Sequence, residues 1–241
     1  MPLPSFSVAP VHSSPLEPPV PAIARPIDPR SQRILVFGDS MIHVLLPVLA
    51  DYFHHNSHRL HAAIWLGSTS TGWAGSQKLS ELTFHHHPTL AIAVVGSSEV
   101  FAPRAGALIA AAAKRLHARL APARLVWIAP LAWRRGKVSG HQLADANRGV
   151  DAMQRALRDT LPPGRVFVAD ERGQPIGRSR DGIHPSIAGG KAWATAFIEW
   201  LRDESDRAIA LEKPERTAPP PPVTRYGAAW LQRSAQPQLN R

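Results

Sequence analysis

Five short runs in this chain are apolar almost from end to end, and the stretch between each and the next is long enough to hold a helix. They fall at residues 33–37, opened by an arginine, and at 62–66, 90–95, 125–129 and 166–168. A strand with one face in water alternates apolar and polar residues, whereas a strand apolar throughout must be covered on both faces. The intervening segments supply that cover. After the first run, Ile42, Leu45, Leu46 and Leu49 recur at helical spacing. Further helices are expected over residues 77–85, 104–120, 141–161 and 186–201. Such alternation predicts a parallel sheet with helices on both faces, an α/β sandwich. No segment repeats at a fixed period, which argues against a solenoid or propeller.

Proline marks where this pattern stops. Of 24 prolines in 241 residues, nine lie within residues 1–30 and six beyond Lys213. The expected organisation is a proline-rich N-terminal tail (1–30), one domain (31–203) and a proline-rich C-terminal tail (204–241), the tails extended and poorly packed. Tyr226, Trp230 and Leu231 could then anchor the second tail to a protein partner. The chain has no cysteine, which excludes disulfide scaffolds, thiolate metal sites and a cysteine nucleophile. Its longest strongly apolar stretch, residues 105–113, is far shorter than the ~20 residues a membrane helix needs. The first residues lack a basic leader followed by an apolar block, so no secretory signal is expected and a cytoplasmic location is the default.

The net charge is +10, and most of it lies on the domain: residues 31–201 carry nineteen Lys and Arg against eleven Asp and Glu. Such a balance favours anionic partners without naming one. No nucleic-acid recognition motif accompanies it, and specific nucleic-acid binding is not expected.

In sheets of this kind functional loops sit at the carboxyl ends of the strands. Two loops there carry chemistry. Phe37-Gly38-Asp39-Ser40 puts a hydroxyl where the first strand turns into the first helix, as a helix cap or as a nucleophile beside backbone N–H donors. Asp181-Gly182-Ile183-His184-Pro185 puts a carboxylate three residues from an imidazole, as a surface turn or as the base and orienting acid that a hydroxyl nucleophile requires.

Together the two segments resemble the SGNH, or GDSL-type, hydrolase superfamily, whose nucleophile lies in a Gly-Asp-Ser block after the first strand and whose Asp and His lie in an Asp-x-x-His block before the last helix. The resemblance covers about residues 31–201. It implies a three-layer α/β/α sandwich with a parallel, flavodoxin-like sheet and serine-dependent ester chemistry without metal or cofactor. Ser40 would be the nucleophile, His184 the base and then acid, and Asp181 the orienting carboxylate. The oxyanion would be held by the N–H of Ser40, by that of Gly72 with Gly67 as the fallback, and by a side chain from the third block. There the sequence departs from the family's Gly-x-Asn-Asp and reads Gly96-Ser97-Ser98-Glu99, with Ser98 in the asparagine position. The substrate class implied is a small acyl ester or an acylated carbohydrate, with acetyl as the acyl group. Acetyl transfer to a polysaccharide and a non-catalytic scaffold within a larger complex are the alternatives.

Other groups invite attention. Trp133-Arg134-Arg135-Gly136-Lys137 follows the fourth apolar run and sets an aromatic beside three cations, suited to a sugar ring or an anionic polymer; Trp73 near the second block has a similar claim. His85-His86-His87 looks metal-like, yet successive side chains diverge, so no metal site is expected. His54 and His58 could share a helix face as a solvated helix end. His43, one turn past Ser40, reads as a structural neighbour.

Overall fold

The computed structural model describes residues 30–172 and 176–226. In chain order the elements are β1 (Arg33–Gly38), α1 (Ile42–His55), β2 (Arg59–Trp65), α2 (Ser70–Gly75), α3 (Gln77–His86), β3 (Leu90–Val94), α4 (Ala105–Leu120), β4 (Arg124–Ile128), α5 (Gly140–Thr160), β5 (Val166–Phe167), α6 (Ile187–Asp203) and β6 (Val223–Tyr226). All six strands are parallel, in the order β5-β4-β3-β1-β2-β6. The expected sandwich is thus the observed one.

The inner strands β1, β3 and β4 are buried almost throughout because both faces are covered. Ile34 and Val36 of β1 point into a core built with α1 and α6, where Leu45, Leu49, Phe53, Trp193 and Phe197 are buried. Leu35 and Phe37 point the other way, into a core with α2, α3, α4 and α5 that buries Trp73, Leu79, Ile109, Leu116 and Val150. Among the described residues no helix is long and apolar enough to cross a membrane.

The C-terminal boundary moves. Residues 204–226, expected in an extended tail, belong to the fold. Ala208, Ile209 and Leu211 are buried, and β6 pairs with β2 from Ala62↔Val223 to Trp65↔Tyr226. Polar groups of α1 and the turn after it hold the segment in place. Asn56 donates to Glu212 O and accepts from Glu212 N, and Asp51 accepts from Ala218 N. Proline is disfavoured inside helices, but residues 219–222 only lead into an edge strand, which proline permits. Tyr226 accordingly packs against Trp73 of its own domain, with ring centroids 6.0 Å apart. Residues up to 29, and Trp230 and Leu231, lie outside the described residues.

His58 is also placed differently from its expected helix face. Helix α1 ends at His55; His58 is buried, accepts from Gln32 N through Nδ1 and bonds Ala210 O through Nε2.

Candidate active site

The chain runs from β1 to β2 on one side of the sheet and then returns to place β3 on the other side of β1. Loops leaving β1 and β3 therefore diverge at their carboxyl ends, the crevice where open α/β sheets bind ligands. Ser40 follows β1 and Ser98 follows β3.

Backbone constraints set the serine. Gly38 has φ of 155°, and a Cβ there would lie 1.8 Å from Val94 O. Only glycine lets the end of β1 press this closely on β3, and Asp39 N then donates to Val94 O at 3.1 Å. The hydroxyl of Ser40 does not cap α1, whose N-cap is Met41 without a side-chain bond. Instead Ser40 Oγ lies 2.9 Å from His184 Nε2, although 144 residues separate them. The half-buried Ser40 is thus turned towards the imidazole.

The histidine is fixed by its own loop. Asp181 Oδ2 lies 2.6 Å from His184 Nδ1. Its Oδ1 accepts from Ser179 Oγ at 2.7 Å, Ile183 N at 2.8 Å and His184 N at 3.0 Å. Partial burial opposes the charge on Asp181, but the Ser179 hydroxyl, the His184 ring and the two amides outweigh it and hold the carboxyl well below its ordinary range. Gly182 N donates to Ser179 O at 3.0 Å, closing a tight turn. Gly182 itself has φ of 76°, and a Cβ there would lie 2.2 Å from Arg134 O.

That close approach reveals a template for the loop. Arg134 N donates to Gly182 O at 2.8 Å and Lys137 N to Asp181 O at 3.0 Å, so the segment after β4 lies against the histidine loop main chain to main chain. The segment is itself pinned by Asn147 of α5, which accepts from Trp133 N at 2.7 Å and donates to Trp133 O at 3.2 Å. Asp170 accepts from Ala132 N at 3.0 Å.

The residues expected to hold an oxyanion lie in three different settings. Gly72 lies within α2, where its N–H donates to the N-cap Thr69 Oγ1 at 3.0 Å and so serves the first turn of that helix. Gly67 lies in the turn leaving β2, exposed, with φ of 68°, and its N–H bonds no described residue. Ser98 is exposed in a short 3-10 turn at Ser97–Glu99. Glu99, which sequence reasoning passed over, is 4% exposed. Its carboxylate accepts from Ser70 N at 2.7 Å and Ser70 Oγ at 3.0 Å, clamping the start of α2 to the β3 loop.

Two aromatic expectations fail. Trp73 is fully buried and donates Nε1 to Ser68 Oγ at 2.8 Å, because it forms the inward side of α2. Trp133 is 7% exposed, because the Asn147 clamp holds its main chain inward. An open aromatic beside Trp133 is Phe101, 53% exposed and edge-on to it with centroids 5.3 Å apart. Arg134 is exposed as expected. The exposure of Phe101 left no sign in the sequence, since it belongs to no periodic segment.

Asp39 is wholly buried, and burial pushes its carboxyl up to about 7, against the opposing effects of the Met41 amide, nearby His184 and the amides of Ser97 and Gly96. Among the described residues no three His, Asp or Glu side chains gather to hold a metal ion. His85 and His86 end α3, and His87 leaves it in the left-handed conformation.

No protein-family model matches the sequence, and no curated protein resembles it in sequence. Solved structures are similar in fold. A protein from Slackia heliotrinireducens described as an SGNH hydrolase superposes with a TM-score of 0.56 at 14% identity, covering 71% of this chain and 100% of its own. The M. smegmatis aryl esterase gives 0.54 at 16%, covering 71% and 99%. The C-terminal catalytic domain of Streptococcus pneumoniae peptidoglycan O-acetyltransferase A gives 0.50 at 13%, covering 76% and 99%. With its parallel sheet and helical layers, this chain has the SGNH hydrolase fold.

Proposed function

We propose that this protein is a serine-dependent carboxylic ester hydrolase acting on O-acetyl groups carried by carbohydrate, through an acyl-enzyme on Ser40. The observation that carries the reading is the continuous relay from Asp181 to His184 at 2.6 Å and from His184 to Ser40 at 2.9 Å. With Asp181 ionised and bonded to Nδ1, the neutral imidazole presents an unprotonated Nε2 to the hydroxyl. His184 takes the Ser40 proton as Oγ attacks the ester carbonyl, and Asp181 stabilises the imidazolium. The imidazolium protonates the departing alkoxide as the acyl-enzyme forms. Water, deprotonated by the same nitrogen, then releases the acid and restores Ser40. The developing oxyanion is held by the N–H groups of Ser40 and Gly67 and by the Ser98 hydroxyl, with Gly67 replacing Gly72 because the latter's N–H is committed to Thr69.

Carbohydrate as carrier is supported by the open ring of Phe101, which suits the apolar face of a sugar, beside the hydrogen-bonding Ser98 and Arg134. The side chain of His184 is 44% exposed, so a sugar hydroxyl can replace water at the acyl-enzyme. Acetyl transfer is thus the second reading, and the likeness in fold to an O-acetyltransferase domain agrees with it. Hydrolysis of p-nitrophenyl acetate and labelling by a fluorophosphonate, both lost in Ser40→Ala, are the expected results. Equal background in wild type and variant would leave a scaffold without ester chemistry.

A further inference from the structure

Exposed cations outnumber exposed acids around this edge of the sheet, and their arrangement bears on what carries the ester; the inference rests on the esterase reading above. Arg134 and Lys137 are tied to the main chain of the histidine loop at Gly182 and Asp181, so two cationic side chains spring from positions adjoining the relay. Arg135 lies between them and Arg180 precedes Asp181; all four are exposed. On the far side of Ser40, Arg225 stands at the carboxyl end of β6, beside His43.

The carboxylates of the same edge are engaged by the chain's own donors, Asp39 and Glu99 in burial and Asp170 and Asp145 at the surface. Asp39 is buried on the Met41 amide, Glu99 is buried on Ser70, Asp170 accepts from Ala132 N, and Asp181 is surrounded by four donors. Asp145, near the start of α5, pairs with Arg148. Among the described side chains, none of these acids is left to neutralise the exposed cations.

Stability does not account for this. Helices α1, α4, α5 and α6 begin at this edge, and none has an acid in its first turn. The positive pole of a helix favours acids there by about 0.3–1 kcal/mol and disfavours cations. Arg178, half-buried on Ala132 O and Ile176 O, is compensated by nearby Asp170, while Arg134 opposes it. Arg134, Arg135, Lys137 and Arg180 gather where helix dipoles disfavour cations and stand exposed, open to an anion from outside the chain.

From Lys137 after β4 to Arg225 on β6 the sheet spans four strand spacings, about 19 Å, more than one sugar ring. Single-stranded nucleic acid would require successive aromatic platforms; Trp73 and Trp133 are buried and Phe101 is open. We propose that the acyl ester is borne on a carboxylated polysaccharide, which lies along this edge with its carboxylates on Arg134, Lys137 and Arg180 and its acyl group at Ser40.

The test compares O-acetylated polygalacturonate with O-acetylated neutral xylan of matched acetyl content, at about 0.02 and 0.5 M NaCl, with p-nitrophenyl acetate run in parallel. The expected result is kcat/KM at least about tenfold higher on the acidic polymer at low salt, falling to within about twofold at high salt as screening removes steering. In Arg134→Ser with Lys137→Ser the ratio between polymers falls towards one, while Arg134→Lys with Lys137→Arg retains it. If the serine double variant does not fold, the wild-type salt dependence decides. Equal rates on both polymers with p-nitrophenyl acetate hydrolysed would overturn the polyanion inference alone; hydrolysis of none of the three would overturn the esterase reading with it. Binding to phosphatidylglycerol vesicles without any preference between polymers would assign the cations to a lipid surface and refute the polysaccharide.

Discussion

At the scale of single residues, Ser98 and Asp39 make opposite demands on the same loop cluster. A serine hydroxyl is shorter than the amide the family places at that position and rotates freely. If Ser98 supplies the third oxyanion donor, Ser98→Ala is expected to lower kcat by about tenfold to a hundredfold with little change in KM, while Ser98→Asn holds or raises it. Steady-state kinetics on p-nitrophenyl acetate decide this, and an unchanged kcat in Ser98→Ala removes the residue from the oxyanion hole. Asp39 is different, because burial raises its carboxyl to about 7. Between the ordinary carboxylate pKa of about 4 and that value, the folded protein holds a proton the unfolded chain has lost, so this group makes stability fall as pH rises through the window and then level off. Asp39→Asn keeps the oxygen that accepts from Met41 N and has no such proton. Its melting temperature relative to wild type is therefore expected to climb from pH 5 to pH 8; a constant difference in thermal melts would show that Asp39 is ionised throughout.

At the scale of elements, the active loop is held less by its own helix than by the segment laid against it. Gly182 both turns the loop and admits Arg134 O, so Gly182→Ala meets a left-handed backbone and a 2.2 Å contact together. We expect a loss of stability of about 1–3 kcal/mol by chemical denaturation, with a larger fractional loss of turnover, since His184 is displaced from Ser40. Turnover reduced only in proportion to the folded fraction would show that the loop tolerates the shift. The sequence announced the histidine loop because Asp, Gly and His stand in one short segment. It could not announce Asn147 or Glu99, whose partners Trp133 and Ser70 lie 14 and 29 residues away. Nor could it separate Gly72 from Gly67: the Thr69 that makes Ser70–Gly75 a capped helix uses up the N–H of Gly72, and a six-residue helix is too short for periodicity to reveal.

At the scale of the whole molecule, the sixth strand is the part that composition conceals. Residues 204–226 cover β2 and meet the polar groups of Asn56 and Asp51. A chain ending at residue 203 would leave those groups and the edge of β2 unpaired, and is expected to aggregate or to melt at least several degrees lower, by scanning calorimetry, than a chain ending at 226. Equal melting temperatures would show the strand to be an accessory. The sequence by itself determined the α/β class, the succession of five strands with most of their helices, and the Gly-Asp-Ser and Asp-x-x-His segments, because each depends on residues close together in the chain or on a local period. Only the tertiary structure decided that β6 closes the sheet, that Trp73 and Trp133 face inward, that Gly72 is committed to a helix, and that exposed cations cluster at one edge. Those outcomes depend on which groups meet across long stretches of chain, and burial and hydrogen bonding are settled by such meetings, not by residue type.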